Sequence, residues 1–335
     1  MTAPPHDPAR PGEPAAGVLP RRRLGRTPVE VTELSFGGAA LGNLYAAVSD
    51  ADARAAVDAA WDGGIRTFDT APHYGLGLSE RRMGAALAGR PRAEFVLSTK
   101  VGRLLEPVGL GTGTGRDTEG FDVPADVVRR FDYSADGVRR SLEASLSRLG
   151  LDRVDIALIH DPDDHAKEAF GQAYPALEKL RAEGVVRAIG VGMNQAGMLA
   201  RFVTDTDIDV VLVAGRYTLL DRSAGDALLP AAVERGISVI AGGVFNSGLL
   251  AAPVPGATYD YQAAPDSLLS RALRLQDTCA GFDVPLRAAA ARFPLRHPAV
   301  ASVLIGARNA AEVTDATRLR SLDIPSALWN AVAAF

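Results

Sequence analysis

Eight short apolar runs, each followed by a stretch with helical periodicity, constrain this chain more than any other feature. The runs are residues 34–37, 67–69, 95–99, 154–159, 188–191, 210–213, 238–241 and 302–305. They are continuous rather than alternating, the pattern of strands covered on both faces. Between them lie amphipathic segments such as ADARAAVDAAWDGG, LSERRMGAALAG and SADGVRRSLEASLSRLG. Asp50 is placed to cap the first of these, and Gly63 and Gly64 to end it. Strand–helix alternation predicts a parallel sheet, and eight repeats of it predict a closed (β/α)8 TIM barrel rather than an open doubly wound sheet. Ahead of the first barrel strand, RRLGRTPVEVTEL reads as an N-terminal hairpin turning at residues 25–28.

The chain has 335 residues, 47% of them hydrophobic, enough for one barrel domain over residues 21–335. The first 20 residues, rich in proline and alanine, read as a disordered tail with no signal peptide. Two connections are too long for turns: residues 101–133 after the third strand and 245–265 after the seventh. Both follow strands, so both belong to the C-terminal face, where barrel active sites are built. The glycine cluster GLGTGTG, 109–115, neither matches the dinucleotide fingerprint nor opens a helix, and reads as flexible loop.

Net charge is −4 and the basic residues are interleaved with acids, which argues against a nucleic-acid groove or an anionic membrane surface as partner. No run approaches the ~20 apolar residues of a membrane helix. Cys279 is the single cysteine, so no intramolecular disulfide can form, which fits a reducing cytoplasm. Cys279 itself reads as a small apolar side chain buried on a helix. Nothing in the sequence specifies an oligomeric state.

Four ionisable residues fall at the ends of neighbouring strands or just beyond. Asp69 ends the second, Tyr74 lies in the loop after it, Lys100 ends the third and His160 the fourth. In a barrel these positions converge on one mouth. A phenol is a poor proton carrier at neutral pH, and a nearby ammonium favours its phenolate. Lys100 can supply that ammonium, and Asp69 can hold it charged. His160 can hydrogen-bond a carbonyl or alcohol oxygen. Together they make a proton donor and acceptor beside a polarised C–O bond, which suits hydride transfer. His73, beside Tyr74, is either a substrate contact or a loop residue. The run HDPDDH, 160–165, superficially resembles a metal-ligand cluster, but the His-x-His pair of barrel hydrolases is missing and no metal is expected.

The stretch GIRTFDTAPHYGLGLSERRMG resembles the signature of the aldo-keto reductase superfamily. The resemblance spans residues 22–335. Segments such as KVGRLL, AGRYTLLD and GGVFNSGLLA are similar to its aldose 1-dehydrogenase branch, which a pyridoxal 4-dehydrogenase shares. It implies a catalytic tetrad of Asp69, Tyr74, Lys100 and His160, with His73, Tyr74 and His160 facing the substrate. The implied substrate is a sugar, oxidised at C1 to the lactone, or an aromatic alcohol or aldehyde. NADPH-dependent aldehyde or ketone reduction is the alternative.

The implied cofactor is NAD or NADP, bound across the barrel mouth. The resemblance places Asn194 at the nicotinamide carboxamide, Phe245 and Ser247 at the pyrophosphate, and Gly306, Arg308 and Glu312 at the adenosine end. Gly38 and Asp69 belong to the same implied set. A helix starting near Asn309 would add its positive end. Three positions depart from the family pattern: Ala214 for a glutamine, Gly242 for a stacking tyrosine and Ala316 for an asparagine. Only one cation, Arg308, stands near the site of a 2′-phosphate, and Glu312 and Asp315 would repel one. The expectation therefore leans to NAD.

Overall fold

The computed structural model describes residues 18–108, 115–260 and 262–335. The expected tail, except for its last three residues, and most of the glycine cluster lie outside these described residues. Arg21–Arg23 (β1) and Glu30–Thr32 (β2) pair antiparallel as the expected hairpin. Leu34–Gly37 (β3), Thr67–Asp69 (β4) and Val96–Val101 (β5) begin the barrel. Arg103–Pro107 (β6) and Val127–Phe131 (β7) form a second hairpin outside it. Ile156–His160 (β8), Ala188–Met193 (β9), Val210–Ala214 (β10) and Ser238–Gly242 (β11) continue the barrel. Thr258–Tyr259 (β12) and Gln262–Ala263 (β13) pair briefly, and Val300–Gly306 (β14) closes the ring. Each barrel strand neighbours the next one in the chain, and β14 pairs in parallel with β3. This is the (β/α)8 barrel expected.

The helices are Asp50–Asp62 (α1), Leu78–Leu87 (α2), Ala135–Leu149 (α3), Ala166–Glu168 (α4), Tyr174–Ala182 (α5) and Ala196–Asp205 (α6). Leu228–Arg235 (α7), Asp266–Ala280 (α8), Leu286–Arg292 (α9), Ala310–Arg320 (α10) and Ser326–Ala333 (α11) follow. One cap differs from expectation. Ser49, not Asp50, caps α1: its backbone is extended and its side chain accepts from the Asp52 amide at 3.0 Å. Asp50 is already helical, so its carboxylate cannot reach that amide and acts on the helix dipole instead.

The barrel strands are almost wholly buried, which explains their unbroken apolar runs. The β1–β2 hairpin covers the N-terminal end of the barrel. Leu24, Val29 and Val31 have no exposed surface and pack with Val96, Ile156, Leu158, Val210 and Ile240 inside the ring. Each such side chain contributes about 1.5–3 kcal/mol by leaving water. The barrel is therefore floored at this end and open at the other. Cys279 is fully buried on α8, as expected.

The connection after the third barrel strand is more ordered than a loop. The hairpin β6–β7 stands at the barrel mouth and carries the segment 115–126 over it. Phe121 on that segment meets Leu44 in an isolated bridge and packs with Leu76 and Val123 as a small separate core. No described helix is long and apolar enough to cross a membrane.

Candidate active site

Strand register explains why the polar residues meet. Side chains two apart share a face of a strand, so Ser98 and Lys100 of β5 point the same way. Asp69 is the register partner of Ser98, and its Oδ1 accepts from the Ser98 hydroxyl at 2.7 Å, so all three face the barrel interior. On β8, Leu158 is interior and pairs with Lys100, and His160 lies two residues further along the same face. Thr99 points outward and donates to the buried carboxylate of Glu80 on α2 at 2.8 Å.

Tyr74 is delivered by the turn after β4. Gly75 has φ +61°, and a Cβ there would lie 2.2 Å from the carbonyl oxygen of Gly42. Only glycine allows that approach, which seats the tyrosine loop on the turn at residues 40–42. The three hydrogens of the Lys100 ammonium are all used. Nζ donates to Asp69 Oδ2 at 2.6 Å, to the Thr70 carbonyl at 3.1 Å and to Tyr74 Oη at 3.0 Å. Lys100 is 1% exposed and Asp69 3% exposed, so this is a buried ion pair. The rings of Tyr74 and His160 are 5.8 Å apart and nearly perpendicular, and His73 lies 5.6 Å from His160. These three, with Lys100, line a cavity of about 550 Å³ that also includes Asn194, Asp161, Glu119, Phe121 and Leu212.

The electrostatics correct one expectation. Lys100 does favour the Tyr74 phenolate, but burial dominates and pushes the phenol up to about 12. At neutral pH Tyr74 is a proton donor. Burial pulls on the Lys100 ammonium as well, but Asp69 and Tyr74 outweigh it and its pKa is raised. Burial, reinforced by the positive charges of Arg103 and Lys100, drives His160 well below 6.5. Burial, with Arg103, Arg129 and Lys100 behind it, brings His73 down to about 2. Both imidazoles are neutral.

Several residues around the cavity had no sequence signal. Arg103 at the start of β6 donates to Asp161 Oδ2 at 2.8 Å, and Asp161 Oδ2 lies 3.4 Å from His160 Nε2. The Tyr133 hydroxyl lies 2.7 Å from the His160 carbonyl and 3.0 Å from that of Asp161. Arg129 of β7 is buried, pairs with Asp117, reaches Glu119 at 3.4 Å and donates to the His73 carbonyl at 3.0 Å. Asp161 follows His160 directly in the chain, yet its partner Arg103 is 58 residues away.

The residues assigned to a dinucleotide lie mostly on the same face. Asn194 donates from Nδ2 to the Ala214 carbonyl at 3.2 Å, while its Oδ1 accepts no protein hydrogen bond among the described residues. An amide acceptor at the cavity wall matches the NH2 of a carboxamide. Phe245 is half-buried between two hydrophobic clusters, and Ser247 has φ +56°. Gly306 ends β14 and is exposed, with its nearest neighbour for a Cβ, the Gly37 carbonyl, at 3.9 Å. The helix α10 then starts under an Asn309 cap, its positive end turned to the same segment. Arg308 is exposed and gripped by Glu312 through Oε1 at 2.8 Å. Glu312 Oε2 also accepts from the Arg308 amide at 2.9 Å. Asp315 is held by Arg287 and Arg318. Gly38 has a packing reason of its own: a Cβ there would lie 2.6 Å from Ser79 Oγ and 2.9 Å from the Asp69 carbonyl.

A closed parallel barrel with an ammonium-bound phenol and a neutral imidazole at the mouth of a deep cavity is an oxidoreductase site for a C–O bond. The sequence profile described as Aldo/keto reductase family matches residues 33–335, and the chain belongs to that family. Its members use nicotinamide dinucleotides. The chain is 48% identical to D-threo-aldose 1-dehydrogenase of Pseudomonas sp, over 90% of this chain and 93% of that protein. It is 41% identical to pyridoxal 4-dehydrogenase of Microbacterium luteolum, over 92% and 95% of the two chains. Among solved structures it is similar to the holo form of aldo-keto reductase AKR11C1 from Bacillus halodurans. That match has a TM-score of 0.75 and 27% identity, and covers 94% of this chain and 96% of that one.

Proposed function

We propose that this enzyme oxidises an aldose at C1 to the lactone, using NAD in preference to NADP. The observation that carries the reading is the Lys100–Tyr74 contact at 3.0 Å, opening on a cavity shared with His160. The 48% identity to a protein named D-threo-aldose 1-dehydrogenase supports the choice of substrate. Asp69, Tyr74, Lys100 and His160 are the proposed catalytic set. The anomeric hydroxyl hydrogen-bonds to Tyr74 Oη and to the His160 imidazole, and its proton passes to the Tyr74 oxygen. Lys100, held by Asp69, stabilises the phenolate that must exist before the proton can move. When bound, the oxidised nicotinamide supplies the hydride acceptor and a positive charge that favours that phenolate. Asn194 would hold its carboxamide, Phe245 and Ser247 the pyrophosphate, and Gly306, Arg308 and the start of α10 the adenosine end. Gly38 serves the set by keeping β3 and α2 close.

The preference for NAD rests on the Arg308–Glu312 pair. With its guanidinium engaged by a carboxylate, Arg308 offers little to a 2′-phosphate dianion. A site in the cytoplasm and a place in carbohydrate metabolism are parts of the same reading.

Oxidation of an aromatic alcohol is a second reading. The apolar side of the cavity, from Leu44, Phe121, Met193 and Leu212, suits a flat ring, and pyridoxal 4-dehydrogenase is a relative at 41% identity. The neutral Tyr74 phenol also suits the reverse reaction, proton donation to a carbonyl during reduction. One assay separates these readings. Purified enzyme is mixed with L-fucose, D-arabinose, L-galactose or pyridoxal and either NAD⁺ or NADP⁺, and absorbance of the reduced cofactor is followed. Turnover of an aldose with NAD⁺ is expected; activity confined to pyridoxal, or to carbonyl reduction with NADPH, refutes the first reading.

A further inference from the structure

The cavity carries two carboxylates that the proton-transfer chemistry does not use. Asp161 follows His160 at the end of β8, and Glu119 comes from the segment carried by the β6–β7 hairpin. Their side chains are 29% and 50% exposed, whereas those of their arginine partners, Arg103 and Arg129, are 9% and 6% exposed. A molecule in the cavity meets the acids and not their counter-ions.

Asp161 is aimed with care. Arg103 fixes its Oδ2 at 2.8 Å, and the Tyr133 hydroxyl sits 3.0 Å from its carbonyl oxygen. Its backbone is left-handed at φ +39°, a conformation that aspartate adopts more readily than most residues. Its Oδ1 takes no protein hydrogen bond among the described residues. An independent sign of a ligand stands beside it: the His160 side chain is 7% exposed, lines the cavity, and has a buried Nδ1 without a hydrogen-bond partner. His73 Nδ1 is likewise buried and without a hydrogen bond, 3.6 Å from Glu119 Oε2.

We propose that Asp161, assisted by Glu119, selects the substrate by charge: the two carboxylates accept hydrogen bonds from the hydroxyl groups of an uncharged polyhydroxylated substrate and exclude its phosphate esters. A hydroxyl donates to a carboxylate, but a phosphate offers only acceptors and like charge. This assignment rests on the dehydrogenase reading for the reaction, but the charge rule is measured as a ratio and applies to sugars and aromatic alcohols alike.

The test uses matched pairs with the preferred dinucleotide in which the phosphate leaves the ring-closing hydroxyl free: L-galactose against L-galactose 6-phosphate, and pyridoxal against pyridoxal 3-phosphate. The wild-type enzyme is expected to favour the neutral member of an active pair about 100-fold in kcat/KM, roughly tenfold for each carboxylate. Asp161→Asn and Glu119→Gln should each narrow that ratio about tenfold, mainly through KM. A merely structural role for Asp161 would slow both members of a pair alike and leave the ratio where it was. Glu119→Gln, on a half-exposed side chain, reads the rule without touching the Arg103 pair. Wild-type enzyme that takes a phosphate ester as readily as its parent overturns the proposal, as does a ratio unmoved in both variants. If only the pyridoxal pair is active, the aldose reading falls while the charge rule is judged on that pair. If neither neutral compound is turned over, both fall.

Discussion

Replacing Lys100 by methionine removes the ammonium while keeping an unbranched side chain of similar length. The ammonium lies 3.0 Å from Tyr74 Oη, and at an effective dielectric of ~20 such a contact is worth about 5 kcal/mol to the phenolate. That is a factor of nearly 10⁴ in phenolate population. Water entering the vacated space returns part of it, so kcat should fall by roughly 10²–10⁴. The same change leaves Asp69, 3% exposed, without its cation, which costs about 3–5 kcal/mol of stability. Asp69→Asn/Lys100→Met removes both charges, so it should unfold in urea later than Lys100→Met alone while staying as inactive. Steady-state kinetics at saturating substrate and a urea titration of each protein give both readouts. Lys100→Met with kcat within tenfold of wild type would refute the proposed role of the ammonium. A double variant less stable than the single one would refute the account of the buried pair.

Three further outcomes follow from the same geometry. Because burial holds Tyr74 near pH 12 in the free enzyme, kcat/KM for oxidation should rise about tenfold per pH unit from neutral toward alkaline pH, and Tyr74→Phe should abolish the rise and lower kcat by ~10²–10⁴. His73 and His160 are neutral in the folded chain with pKa values below 6.5, so the unfolded chain binds more protons in acid; stability is full above about pH 6.5 and should fall below it by up to ~1.4 kcal/mol per pH unit for each, a slope that His73→Gln should reduce. Glu312→Gln frees Arg308, and the preference for NAD⁺ over NADP⁺ should shrink about threefold to tenfold, measured as the ratio of kcat/KM values.

The barrel was legible because buried strands and amphipathic helices leave opposite marks on a sequence. All eight strand positions emerged as continuous apolar runs, with ends off by at most a few residues. Three of the four proposed catalytic residues, Asp69, Lys100 and His160, were legible for a related reason, since an ionisable residue closing an apolar run is conspicuous; Tyr74 stood out only by its place in the loop just after Asp69. The surroundings of the tetrad were not. Arg103 and Asp161 are far apart in the chain, and no local pattern announces that β6 folds back across the mouth. Strands β6 and β7 run from buried through half-exposed to exposed positions and are too mixed in polarity to be told from loop. The direction of the Tyr74 shift was missed because a sequence names the neighbouring charge but not the depth of burial that opposes it. Gly38 shows the converse: an assignment to cofactor on resemblance, where the space between β3 and Ser79 gives the residue a packing reason of its own.

The β1–β2 hairpin has a kinetic consequence. With the far end of the ring stoppered by Leu24, Val29 and Val31, whatever reacts must arrive and depart through one doorway. A dinucleotide whose reacting ring sat deeper in that doorway than the small substrate would be covered by it, so the chain's floor would dictate an order of leaving: small product first, carrier last.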